Sequence, residues 1–367
     1  MNWNTFFRPN INNMEAYQPG LREEQIRELV EVDQIYKLSS NESPLPPFLA
    51  ALDAMQGALQ GLNEYPDGSG YHMTKTISEH YGVPAENICC GNGTNEILTL
   101  IAKTCLTAGS NVVYGWPSFI VYRYSAQLMD VQFREVPLLD NGAYNLESLL
   151  AAIDDKTKLV YVCTPNNPTG ACVSHADLAS FIQRVPEDVL IVLDAAYEEF
   201  VTDLEAARTL DLFKDTINSL DKHAVVVLRT FSKIYALAGI RAGYAFAPTM
   251  LVQAINKIRE PFNVNSLAQL AAAASLQDTT ELNRRQELNK NCRERLQACF
   301  AELGLRYLPS QANYVWVDIP NPQQAFEFLL KRGIIVRSFA AAGGLRIGVG
   351  DEAGTASTIA AFKELLR

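Results

Sequence analysis

Seven short β-branched runs punctuate the first two thirds of the chain, at 87–90, 111–114, 131–136, 158–163, 189–194, 224–229 and 243–247, and helix-like segments separate most of them. Runs that stay apolar on consecutive positions predict strands buried on both faces, and their alternation with helices predicts a mostly parallel sheet. After Pro261 the texture changes. Long alanine- and charge-rich helices over 265–303 lead to short strands near 314–318, 334–337 and 345–349, and a last helix follows Asp351. That grouping predicts a smaller α+β unit. Residues 1–45 are polar and proline-punctuated, with one helical stretch near 23–30. The expected organisation is an arm (1–45) partly packing with the small domain, a large domain (46–262) and a small domain (263–367).

Composition narrows the partners. A chain of 367 residues exceeds one ordinary core, and 48% hydrophobic with 20% charged residues is ordinary globular material. The 41 acidic against 31 basic side chains give a net charge of -10, which argues against a general nucleic-acid binder. No apolar run reaches membrane-spanning length and the first residues carry no apolar signal core, so no membrane is expected. The seven cysteines show no CxxC pair, and four scattered histidines without HExxH speak against a metal site. A reducing cytoplasm fits best.

The candidate chemistry centres on residues 229–244, RTFSKIYALAGIRAGY. Lys233 sits among small and apolar residues, where desolvation and nearby charge can deprotonate its amine for a Schiff base with an aldehyde cofactor. Thr230, Ser232 and Arg241 could hold a phosphate. The other local reading is a surface lysine on a basic loop. Gly91-Asn92-Gly93-Thr94-Asn95-Glu96 follows a strand and opens a helix, where bare backbone and free amides suit an anion, though a plain turn and cap would look alike. Phe119, in Trp116-Pro117-Ser118-Phe119, could stack on a flat ring or belong to the core. Thr164-Pro165-Asn166-Asn167-Pro168-Thr169-Gly170 fixes a tight loop at a strand's carboxyl end and would present Asn167 as a donor. Asp194 ends a buried apolar strand. It is costly there unless paired, as with a protonated ring nitrogen, or unless it caps a helix; Tyr197 follows three residues on.

In order and joint presence these motifs resemble the fold-type I, pyridoxal-phosphate-dependent aminotransferases, and within them the histidinol-phosphate aminotransferases, over nearly the whole chain. The resemblance implies an α/β, aspartate aminotransferase-like fold with a mostly parallel seven-stranded sheet and a small α+β domain. It implies pyridoxal 5'-phosphate held by Gly93, Thr94, Asn95, Phe119, Asn167, Asp194, Tyr197, Thr230, Ser232, Lys233 and Arg241. Lys233, Asp194 and Tyr197 would be catalytic. Tyr65, in Tyr65-Pro66-Asp67-Gly68, matches a tyrosine that reaches the neighbouring subunit's phosphate, which implies a homodimer with shared sites. At the substrate end it implies Tyr17, Asn41, Asn313, Arg337 and Arg346. The sequence departs from the pattern at Ser43 and Ala195, and in the short Gly/Ala-rich connection 338–345.

The expected reaction moves an amino group between histidinol phosphate and 2-oxoglutarate, with a 2-oxo acid and a small-molecule amino donor as partners. The alternatives are an aminotransferase for aromatic or other amino acids, a decarboxylase resembling those acting on threonine phosphate, and a non-catalytic cofactor-binding regulator. Regulators of this fold carry a winged-helix region ahead of the core, and fewer than fifty residues precede it here.

Overall fold

The computed structural model describes residues 3–16, 20, 23–218 and 223–366. Seven strands form the large sheet, in the order Ile88–Gly91, Gly243–Phe246, Val225–Thr230, Leu190–Asp194, Thr157–Cys163, Asn111–Trp116, Gln132–Pro137. The last five run parallel to one another, and Gly243–Phe246 is antiparallel to both its neighbours. All seven expected strands are present, with ends shifted by a residue or two. Burial made most of them readable: Val225–Thr230 and Gly243–Phe246 are buried at every position and Thr157–Cys163 at all but one, whereas the edge strand Gln132–Pro137 is buried only at Val136. A parallel strand covered on both faces has no polar side to show.

The second sheet is antiparallel, ordered Arg337–Phe339, Gly344–Gly348, Tyr314–Asp318, Tyr307–Leu308. The run expected as one strand at 334–337 is two short strands. Ile334–Ile335 pairs instead with Tyr36–Lys37 of the arm, parallel, and Ile26, Ile35 and Ile335 close a small cluster over that seam. The helix expected near 23–30 spans Glu23–Leu29.

Ser266–Gln277 lies past Pro261, yet Ala268, Ala271, Ala272 and Leu276 are buried in the larger core, against the Leu49–Ala58 and Tyr71–Tyr81 helices. The smaller core takes up only from Cys292 and Leu296, in the Thr279–Glu302 helix. An alanine-rich helix packs closely on any partner, so its texture did not disclose which core it joins. We propose that the small domain begins inside Thr279–Glu302 rather than at 263. That helix also staples the two cores: Arg285 donates to the carbonyls of Ile234 and Pro46, Gln286 to that of Glu199, and Arg293 to those of Phe200 and Ala312.

Gly333 turns the chain from the Pro322–Leu330 helix into the seam with the arm at φ 72°, and a Cβ there would collide with the Gln34 carbonyl. Gly333→Ala should therefore lower stability by about 2 kcal/mol, from left-handed strain and the clash together. Gly57→Ala, in the last turn of the Leu49–Ala58 helix with nothing near its missing Cβ, should raise it by about 0.5 kcal/mol. Denaturant midpoints of the two variants check both signs.

Candidate active site

Topology puts the candidate residues on one edge. Asp194 ends Leu190–Asp194, Thr230 ends Val225–Thr230, Thr164 follows Thr157–Cys163, and Gly91 ends the outermost strand. Because Gly243–Phe246 runs the other way, its start at Gly243 meets the same edge. In an open α/β sheet the carboxyl edge is where loops converge and ligands bind.

Three groups assemble there. The first surrounds Lys233. Its amine lies 3.5 Å from the Ser40 carbonyl and 5.5 Å from the centre of the Tyr197 ring. Burial pushes the amine down to about 8, aided by the guanidiniums of Arg346 and Arg241 and opposed by the carboxylates of Glu42 and Asp194. An amine of that kind is neutral in useful amount near neutrality, which an exposed lysine is not. Tyr197 accepts a hydrogen bond from Asn41 Nδ2 at 3.0 Å, so its own O–H remains to donate. Burial pushes that phenol up, keeping the proton on it. Asn313 Nδ2 donates to the Asn41 carbonyl, and Asn41 holds a left-handed φ of 55° to reach both. The side-chain oxygens of Asn41 and Asn313 are buried without a protein partner, which leaves two acceptors for a ligand's N–H or O–H.

The second group centres on Asp194. Burial pushes its carboxyl up, while the Tyr122 hydroxyl at 2.7 Å, the Ala196 N–H at 3.2 Å and the charge of Lys233 pull it down. Phe119 stands edge-on to Tyr122, with ring centres 5.8 Å apart. Tyr122 escaped the sequence reading. The only signal was its place one helical turn after Phe119.

The third group is an anion cradle. Gly93, at φ 76°, precedes the Thr94–Cys105 helix, whose first amides lack carbonyl partners. A Cβ on Gly93 would collide with the Arg241 guanidinium, and one on Gly243 would lie 2.7 Å from the Thr94 amide. Only glycines let the helix start, the guanidinium and the strand converge. Arg241 Nη1 reaches Ser232 Oγ at 3.5 Å, and Thr230 Oγ1 accepts the Ser232 N–H at 3.1 Å. The side chain of Asn95 is exposed, so its backbone is what the cradle offers.

The substrate-end residues divide. Arg346 donates to Asn167 Oδ1 and to the Ser39 carbonyl, which places it inside the Lys233 group and leaves Asn167 its donor end for a ligand. Arg337 is the register partner of Arg346 on the adjacent antiparallel strand, so the two side chains leave the sheet on one face. The connection between them is a single tight turn through Ala340–Ala342 and Gly343. Tyr65 lies apart from all three groups: it is 82% exposed, its ring stacked on Phe262 at 4.7 Å. Tyr17 lies outside the described residues.

A buried acid for a ring nitrogen, donors for a ring oxygen, an anion cradle and a desolvated amine between them suit one kind of group, a pyridine aldehyde with a phosphate tail. That arrangement defines a class, the fold-type I enzymes that work through pyridoxal phosphate. The family model for aminotransferase class I and II matches residues 33–362, and the chain belongs to that family. It is 39% identical over 363 residues to the histidinol-phosphate aminotransferase of Moorella thermoacetica, covering 98% of this chain and 92% of the relative. It is 38% identical over 364 residues to that of Geobacillus sp. (strain WCH70), covering 98% of both. Among solved structures, histidinol-phosphate aminotransferase from Sinorhizobium meliloti in complex with pyridoxal-5'-phosphate superposes with a TM-score of 0.88 at 29% identity, over 98% of this chain and 97% of that one. Aspartate aminotransferase from Thermus thermophilus shares the fold, with a TM-score of 0.83 at 20% identity over 98% and 99% of the two chains. The protein is a pyridoxal-phosphate-dependent aminotransferase.

Cofactor uptake should report the state of Lys233. Only the neutral amine attacks an aldehyde, so the rate at which apo-protein takes up pyridoxal phosphate should rise with pH and level off above about 8. Arg346→Gln removes a cation that depresses the amine and should move that midpoint up; Asp194→Asn removes an anion and should move it down. Stopped-flow absorbance at pH values on both sides of about 8 measures both shifts.

Proposed function

We propose that this chain is a histidinol-phosphate aminotransferase, a homodimer of the cytoplasm that exchanges an amino group between histidinol phosphate and 2-oxoglutarate in histidine biosynthesis. The observation that carries the substrate is the pair Arg337 and Arg346, opposite one another on adjacent strands and on one face of the small sheet. Two guanidiniums suit a dianionic phosphate ester, and Arg346 alone suits the α-carboxylate of glutamate. The names of the relatives support the same donor.

Pyridoxal phosphate, when bound, supplies an electron-poor ring that accepts the electron pair released at the substrate's Cα. The residues of the chain do the rest. Lys233 Nζ, held partly unprotonated by its surroundings, takes the Cα proton and returns it, the work of a general acid and base. Asp194, with one oxygen on the Tyr122 hydroxyl and the other on the Ala196 amide, is held as a carboxylate that would pair with the ring nitrogen and favour its protonated form. Tyr197 and Asn167 donate to the ring oxygen, and Phe119 covers the ring face. Gly93, Thr94, Asn95, Thr230, Ser232 and Arg241 hold the phosphate, joined by Tyr65 from the other subunit. Asn41 and Asn313 line the substrate side. An exposed tyrosine stacked on an exposed phenylalanine supports the dimer, because two neighbouring exposed rings suit a surface covered by a partner. Among the described residues no helix is long and apolar enough to cross a membrane.

Histidinol phosphate added to the loaded protein without a keto acid should convert the visible band of bound pyridoxal phosphate to the near-ultraviolet band of its amine form, and 2-oxoglutarate should restore it. A protein that ignores histidinol phosphate yet responds to phenylalanine has another donor. In the same assay Arg337→Gln should cost about 10–100-fold in kcat/KM for histidinol phosphate and little for glutamate, while Arg346→Gln should damage both halves by a similar factor. Equal losses for the two donors in Arg337→Gln would remove Arg337 from phosphate recognition.

A further inference from the structure

Away from Lys233, a line of polar contacts joins two turns at the carboxyl edge. Arg259 donates Nη2 to the Gly68 carbonyl at 2.7 Å and Nη1 to Asn263 Oδ1 at 2.7 Å. Asn263 Nδ2 donates to Glu96 Oε2 at 2.8 Å, and the same oxygen accepts the Asn92 N–H at 2.6 Å. Gln269 adds a second hold on the first turn, through the Asp67 carbonyl at 2.9 Å. Asp67 rigidifies that turn itself, taking the Ser69 and Tyr71 amides on its two oxygens. One end of the line is thus the turn that follows Tyr65, and the other is the turn that carries Gly93. A cleft of about 280 Å³ opens beside the line, lined by Asp67, Arg259 and Asn263 but by none of the groups around Lys233.

Glu96 has a double character there. As the third residue of the Thr94–Cys105 helix it reaches back to the chain ahead of the helix, as a capping-box glutamate does, and so fixes the angle at which the first turn starts. It is also a carboxylate one turn from an anion cradle, where a loose negative charge would repel a phosphate. Two donors, the Asn92 amide and Asn263, hold it in one place. Asn263 is held in turn by Arg259.

We propose that Glu96, Asn263 and Arg259 are positioning residues that set the phosphate cradle at Gly93 and register it against the Tyr65 turn. In a dimer, the cradle of one subunit and the tyrosine it presents to the other then move together; this second clause rests on the reading of Tyr65 as a ligand of the partner's phosphate.

The test compares two ligands on folded apo-protein: pyridoxal phosphate, and pyridoxal, which has the same ring and aldehyde without the phosphate. N263A should weaken pyridoxal phosphate about tenfold and pyridoxal less than about twofold, with the thermal midpoint of the apo-protein little changed. E96A should behave as N263A does, while E96Q, which keeps an acceptor oxygen, should stay within about threefold of the parent. R259Q should lose affinity in the same phosphate-selective way and stands in should N263A fold poorly. Equal losses for both ligands, or an unchanged pyridoxal phosphate affinity in folded N263A and R259Q, would overturn the positioning role. For the coupling between turns, Y65F and N263A are combined. A double variant no weaker than the worse single supports the register, and fully additive losses overturn it. If Y65F binds pyridoxal phosphate as the parent does and sedimentation gives a monomer, the shared-site reading fails by itself; the phosphate-selective loss in N263A still carries the first clause.

Discussion

The structure depends on keeping unlike charges in one dehydrated place. Asp194 and Lys233 both lie at the carboxyl edge, and each perturbs the other: the lysine's charge draws the carboxyl down against burial, and the carboxylate draws the amine up against burial. Neither could be buried alone without cost. Tyr122 makes the position of Asp194 tolerable by donating to it from below a helix, and the Asn41–Tyr197 bond fills the space on the lysine's side. Seen this way, the five parallel strands are the means of carrying these side chains to one line, with enough apolar sheet around them to exclude water.

The small unit answers to the same constraint. Arg346 reaches across from its own sheet to Asn167 and to the Ser39 carbonyl, and its charge helps push the Lys233 amine down. A substrate anion that engages Arg346 would compete with those neutral acceptors for the guanidinium, with the stronger charge-assisted pairing on its side. It would also screen the cation that depresses the lysine. A substrate that engages Arg346 would therefore be linked to the basicity of the Lys233 amine through that one side chain.

How much of this was legible in the sequence follows from burial. Most of the seven strands could be read because a strand with no exposed face stays apolar, the edge strand Gln132–Pro137 being the exception, and Asp194, Asn167 and Gly93 could be read because each stands at or just past the end of such a run. Tyr36–Lys37 and Tyr307–Leu308 could not, since two residues carry no period. The break at Val336, which hands Ile334–Ile335 to the arm and Arg337–Phe339 to the small sheet, has no local signal either. Tyr122 was lost for another reason: a buried tyrosine in an amphipathic helix looks the same whether its hydroxyl serves an aspartate or a carbonyl.

The helix Ser266–Gln277 shows where pattern fails in principle. Many of its residues are alanines, so it can approach any surface closely, and an uncharged alanine-rich stretch does not say which core it covers. Only contact decides, and contact gives it to the large core, beside the Leu49–Ala58 and Tyr71–Tyr81 helices. That placement has a consequence for the site. Asn263 and Asn265 stand just ahead of this helix, Asn265 as its cap through the Ala268 amide, so both asparagines are fixed to the large core rather than to the small one. The loop that reaches Glu96 and the cradle is therefore anchored to the same core that carries Asp194 and Thr230, so the phosphate end of the site is built on one packed unit.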